Sequence, residues 1–262
     1  MAQAKQYIQQ NLIDIYQPPL EITSLIETDL TEEKIATLFN SGGGAKGEAP
    51  STAVPVPVGL AGGFTPSGLL NTLAVCVASN LYLIQFRSKT KSSEDAVVAS
   101  RKLLQELILF RPGTTLYAFD LAPLALSLYC DRDLFIENGV DVQSGCTCKD
   151  PRDAVNATGF AIASTHAAKM FKDNVRAAFK SNIRDVDNPK TSRALAMRAW
   201  LASYIPTLGD MEERFREVPK INTKAMPTAT LGAWPIREDG TAARREAAAA
   251  NTARLLRRQR GR

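Results

Sequence analysis

The chain has 262 residues, 45% of them hydrophobic and 23% charged, the balance of an ordinary soluble globular protein able to bury a core. No apolar run approaches the roughly 20 residues of a membrane-spanning helix, and the opening MAQAKQYIQQNLIDIYQ lacks the make-up of a signal peptide, so a membrane or secreted protein is not expected. The net charge of +5 is concentrated at one end: residues 241–262 carry +6 and the remaining 240 sum to −1.

Taken in order, residues 1–40 read as a helical N-terminal arm of two segments broken by Pro18 and Pro19. Tyr7, Ile8, Leu12, Ile15 and Tyr16 recur at helical spacing in the first, and Thr31 caps the second, which carries Ile35, Leu38 and Phe39. Residues 41–68 read as a Gly/Pro-rich linker, with Gly42 to Gly44 and Pro50, Pro55, Pro57, Gly62, Gly63 and Pro66. It is not a phosphate loop, because the GxxxxGK[ST] spacing is missing.

Leu69 to Phe86, LLNTLAVCVASNLYLIQF, is the clearest strand signal: two β-branched-rich runs around Ala78, Ser79 and Asn80 predict a buried hairpin. A helix over Ala99 to Phe110 follows, ended by Arg111-Pro112-Gly113. Next come a strand at Thr115 to Phe119, a helix opened by Asp120, and a strand at Gly139 to Val142. This alternation predicts an α/β mixed sheet covered by helices.

A polar helix is expected around Phe160 to Lys180, with Lys169, Lys172, Arg176, Lys180 and Arg184 along one side. An alanine-rich helix is expected at Thr191 to Ile205, stopped by Pro206, and a further short piece, MEERFREV, at Met211 to Val218. Residues 219–262 read as an extended segment and basic C-terminal tail, holding Arg244, Arg245, Arg254, Arg257, Arg258, Arg260 and Arg262.

The four cysteines, 76, 130, 146 and 148, have neither a disulfide framework nor zinc spacing, and suit a reducing intracellular compartment, cytoplasmic or nuclear. The single histidine, His166, offers little for histidine catalysis or metal binding.

The order of elements resembles the RNase D-like 3'-5' exonucleases, whose ribonuclease-H-like fold holds acidic residues around two divalent metals that activate water and stabilise the leaving oxygen. LAVCVASN is similar to that family's first strand, which bears its D-x-E, with Cys76 and Ala78 at the acidic places. LYAFDLAPLALSLY, followed by IENGVDVQS, is similar to the segment of the next acid, with Ala122 at its place and Asp120 two residues earlier. AWLASYI is similar to the late helix, with Ala202 where its acid would stand. The resemblance spans about 69–218 and implies a degenerate exonuclease-like domain that has lost its chemistry, with no catalytic residue, metal or cofactor.

Three readings follow. The first is an inactive exonuclease-like domain that binds RNA through the basic tail, or scaffolds protein partners in a ribonucleoprotein assembly. Tyr82, Tyr117, Phe119, Trp200 and Tyr204 are then stacking candidates or, more simply, core. The second is a structural or assembly protein of coat or core type. The third is an active exonuclease using displaced carboxylates, Asp120, Asp141 and Asp210.

Overall fold

Val56–Phe64 (β3) runs through the sheet between neighbours of opposite direction. The computed structural model describes residues 6–7, 21–40, 55–86, 94–153, 176, 178–179, 189–208 and 211–224. Besides β3, its strands are β1 (Gln6–Tyr7), β2 (Glu21–Ile26), β4 (Leu70–Val77), β5 (Asn80–Gln85), β6 (Thr114–Ala118) and β7 (Gly139–Asp141). They form one sheet in the order β1-β2-β5-β4-β3-β6-β7.

β3, β4 and β5 make an antiparallel meander, and β6 and then β7 add in parallel on the β3 side. A meander extended by parallel strands beside its first member is the ribonuclease-H-like arrangement, so the expected α/β fold class holds. β2 joins the far edge parallel to β5.

The helices are α1 (Glu32–Asn40), α2 (Glu94–Leu104), α3 (Leu121–Arg132), α4 (Val142–Gly145), α5 (Pro189–Tyr204) and α6 (Met211–Glu217). α1 begins after Thr31 as expected, and the Thr31 hydroxyl accepts a hydrogen bond from the Lys34 amide at 3.3 Å. α2 continues into a π-helical turn, Gln105–Leu109. There the Gln105 side chain donates to the Phe135 carbonyl at 2.8 Å and accepts from its amide at 2.7 Å, tying the turn to the loop after α3.

Strand alternation sorts the core into two layers. Leu60, Leu73, Val75, Tyr82, Ile84 and Leu116 point to the side of α1, α2 and α3. Ala61, Ala74, Cys76, Leu81 and Leu83 point to the side of α5 and α6. The second layer is built from small residues on both partners, including Ala194, Ala196, Ala199 and Ala202 of α5. Small side chains let a helix approach the sheet closely. A β-carbon added to Gly59 would lie 1.8 Å from the Ala199 carbonyl oxygen.

Three expectations are corrected. The N-terminal arm is not wholly helical: Gln6–Tyr7 and Glu21–Ile26 are strands. The segment 41–68 is not a linker throughout, because Val56–Phe64 is a buried inner strand whose glycines serve packing rather than turning. Residues 69–77 are consequently the second strand of the meander and not its first. The hairpin itself stands as expected, with Ala78 at φ 51° in its turn. Of the expected helix around Phe160 to Lys180, Arg176, Ala178 and Phe179 are described and are helical; the rest of it and His166 lie outside the described residues.

The described residues, all of which lie before Ala225, belong to one compact unit. No helix among the described residues is long and apolar enough to cross a membrane.

Candidate functional site

β6 and β7 both deliver acidic residues to the end of the sheet where the parallel strands finish. Asp120 follows Phe119 in the left-handed region, at φ 53° and ψ 47°, and stands at the N-cap position of α3 without a side-chain capping bond. The capping is done from the neighbouring strand. Asp141 Oδ1 accepts from the Leu121 amide at 3.0 Å, while its Oδ2 accepts from the Ser144 amide at 2.9 Å and the Ser144 hydroxyl at 3.0 Å. One carboxylate therefore caps both α3 and α4. The D-x-x-S spacing of Asp141 and Ser144 is a sequence signal for half of this role.

Gln143 fixes the backbone at the same place. Its buried side chain accepts from the Asp120 amide at 2.8 Å and donates to the Lys149 carbonyl at 2.6 Å. A shallow open groove of about 470 Å³ lies over this frame, lined by Asp120, Lys149, Asp150, Pro151, Arg152 and Phe179. Partial withdrawal from water raises the Asp120 pKa, as does the charge of Asp141, while a Gln143 hydrogen bond and the Arg198 charge oppose the shift. Asp150 is pulled down to about 2 by its hydrogen bonds to Arg152.

Arg198 of α5 lies against Phe179, one of the residues that line the groove. Its Nε and Nη2 donate to the Ala178 carbonyl at 3.0 and 2.8 Å, and its guanidinium lies 5.1 Å from the centre of the Phe179 ring. Phe179 meets Phe119 edge to face at 4.8 Å. Burial lowers the Arg198 pKa and the Asp120 charge resists that shift.

The four positions singled out for lost acids do not gather here. Cys76 pairs with Gly59, and Gly59 pairs with Tyr117, three residues before Asp120 on the same strand course. At about 3.3 Å per residue that is roughly 10 Å from the end of the sheet. Cys76 and Ala202 share the buried α5 layer, whereas Ala78 is exposed in the hairpin turn and Ala122 is exposed on α3. The register brings other residues level with Asp120. Leu60 pairs with Ala118, so the next residues of β3, Ala61 to Gly63, extend alongside Phe119 and Asp120, with Ala74 and Thr72 opposite Ala61 and Gly63 on β4.

Two divalent metals do not fit these residues. Among the described residues, no group of three or more His, Cys, Asp or Glu side chains is arranged to hold a metal ion. Asp141 has both oxygens committed to caps, and Asp150 has both bonded to Arg152. Thr72 is buried with its hydroxyl unpartnered, and a neutral hydroxyl is a poor substitute for a carboxylate.

The aromatic candidates are largely structural. Tyr82 donates its hydroxyl to the Lys34 carbonyl at 2.9 Å, Tyr117 meets Phe215 at 5.5 Å, and Trp200 stacks with Tyr204 at 5.4 Å. Asp210 and the arginines Arg244, Arg245, Arg254, Arg257, Arg258, Arg260 and Arg262 lie outside the described residues.

No family model and no curated protein matches the chain. Among solved structures it is similar to the catalytic core of RRP6 from Trypanosoma brucei, with a TM-score of 0.47 and 13% identity over 86% of this chain and 59% of that one. It is also similar to the RNase D:GMP complex of Trypanosoma brucei, with a TM-score of 0.42 and 15% identity over 75% of this chain and 58% of that one. The chain thus spans less than two thirds of the length of either. The ribonuclease-H-like assignment rests on the strand order and directions described above.

Proposed function

We propose that this chain is a non-catalytic exonuclease-like protein that binds RNA and serves as a component of an RNA-processing assembly. One observation carries the reading: beside Asp120, β3 and β4 offer Ala61, Gly63, Ala74 and Thr72 to the α5 side. Two-metal hydrolysis of a phosphodiester needs several carboxylate oxygens converging on paired ions. Ala61 and Gly63 supply none.

The proposed contact with RNA is electrostatic and lies chiefly in the tail. Seven arginines against one glutamate in residues 241–262 can neutralise backbone phosphates without reading sequence. RNA is proposed as the nucleic acid because the similar RNase D structure carries it in its name.

The test is equilibrium binding of a fluorescein-labelled single-stranded RNA to the full chain, followed by anisotropy. Saturable binding that weakens steeply with added salt is expected. No binding at low salt contradicts the reading.

A further inference from the structure

We infer that Cys146 and Cys148 are a reversible oxidation site, a dithiol that the turn after α4 presets to close into a disulfide when a small-molecule disulfide is the oxidant. The inference stands apart from RNA binding and from cleavage.

The turn brings the two residues together. Between them Thr147 stands in the left-handed region at φ 54°, a conformation that β-branched residues rarely take. The α-carbons on either side, each about 3.8 Å from that of Thr147, thereby come to roughly 5.5 Å apart, inside the disulfide range of about 4.4–6.8 Å. The Cys148 side chain points back along the chain, its Sγ donating to the Cys146 carbonyl at 3.1 Å. α4 holds the turn in place: the amides of Cys146, Thr147 and Cys148 donate to the Val142, Ser144 and Gln143 carbonyls at 3.1, 3.2 and 2.9 Å. Gln143 also holds the Asp120 amide, so the pair adjoins the frame of the groove.

The two thiols differ in access. Cys146 is buried and desolvation pushes its thiol up to about 11, whereas Cys148 is half-buried. The thiolate is the attacking form, so the more accessible Cys148 meets the oxidant first. Its sulfur attacks one sulfur of the small disulfide, forming a mixed disulfide and expelling one thiolate. Cys146 then gives its proton to solvent, and its sulfur attacks Cys148 Sγ and expels the second thiolate. Two cysteine thiols lose two electrons and two protons, and one small disulfide becomes two thiols. A ring that spans a single residue is strained, which keeps it open to reduction. Cys76 is buried in β4 and Cys130 is exposed on α3, and neither has a second cysteine beside it in the chain.

The probe is glutathione disulfide, added to the reduced full chain under native conditions. Remaining thiols are then alkylated in denaturant and the peptides weighed by mass spectrometry. The peptide holding Cys146 and Cys148 is expected to lose two hydrogens and take no alkyl group, and dithiothreitol to restore both alkylation sites. The native chain is expected to reach half closure at a lower ratio of glutathione disulfide to glutathione than the same chain in urea. Cys146→Ser is expected to keep glutathione on Cys148.

Two alkyl groups on that peptide after exposed Cys130 has taken up glutathione would overturn the inference. Glutathione held stably on Cys148 of the natural chain would overturn it too, as would closure no easier in the native chain than in urea or a folded Cys146→Ser protein with Cys148 unmodified. If Cys146→Ser does not fold, the natural chain decides: closure favoured by the native state supports the inference, and its absence rejects it.

Discussion

The Ala199 carbonyl oxygen stands 1.8 Å from the point where a β-carbon on Gly59 would lie, so the backbone of α5 rests directly on the backbone of β3. The Ser203 amide is 2.7 Å from the same point, and neither atom belongs to a side chain that could rotate away. Gly59→Ala must therefore displace a helix. A loss of at least about 3 kcal/mol is expected, at the upper end of overpacking costs, measured by urea unfolding. Gly62→Ala, whose nearest neighbour is the end of the Leu124 side chain at 2.7 Å, is expected to cost only about 1 kcal/mol.

That contact also explains what the sequence concealed. The hairpin, α1, α3, α5 and the alternation after Arg111 are legible because periodicity and stop signals agree with the tertiary fold. VPVGLAGGF is not, because a strand pressed against a helix backbone needs Gly59 and other small residues, which by local propensity look like a connector. Missing β3 shifted the candidate site by one strand, from Ala61 and Gly63 to Cys76 and Ala78. Asp120 was legible as the residue opening α3, but its dependence on Gln143 and Asp141 joins distant segments and has no local signature.

Cys76 is fully buried and its thiol is pushed up to about 12, chiefly by desolvation. Between 9.0, its ordinary value, and about 12 the unfolded chain ionises there while the native chain stays protonated. The native state then binds more protons, so stability falls as pH rises, by about 1 kcal/mol per pH unit for this group. Cys146, raised to about 11, acts in the same direction. Cys76→Ser is expected to reduce the slope measured by urea unfolding between pH 9 and 11. Native alkylation with iodoacetamide should reach exposed Cys130 and spare Cys76.

Glu27 is buried and pairs with Arg101 at 3.0 Å, fastening the turn after β2 to α2. Arg101→Ala leaves a buried carboxylate without this partner and is expected to cost about 2–3 kcal/mol. The double change with Glu27→Gln should cost less than the sum of the two single changes. Thermal and urea unfolding of the double-mutant cycle check both expectations.

The tail assignment has its own readout. Removing residues 241–262 is expected to weaken RNA binding and reduce the slope of log K against log salt by up to about 5, at roughly 0.7 per neutralised phosphate on a single strand. An unchanged slope would move the RNA contact to the body of the protein.

Whether the residues beside Asp120 hydrolyse RNA separates a non-catalytic exonuclease-like protein from an active one. The most direct measurement incubates excess purified chain with 5'-labelled single-stranded RNA in Mg²⁺ and, separately, Mn²⁺, and resolves the products at single-nucleotide spacing. Intact RNA over hours is expected, with binding retained in parallel. A ladder of products shortened from the 3' end, abolished by Asp120→Asn, would contradict it.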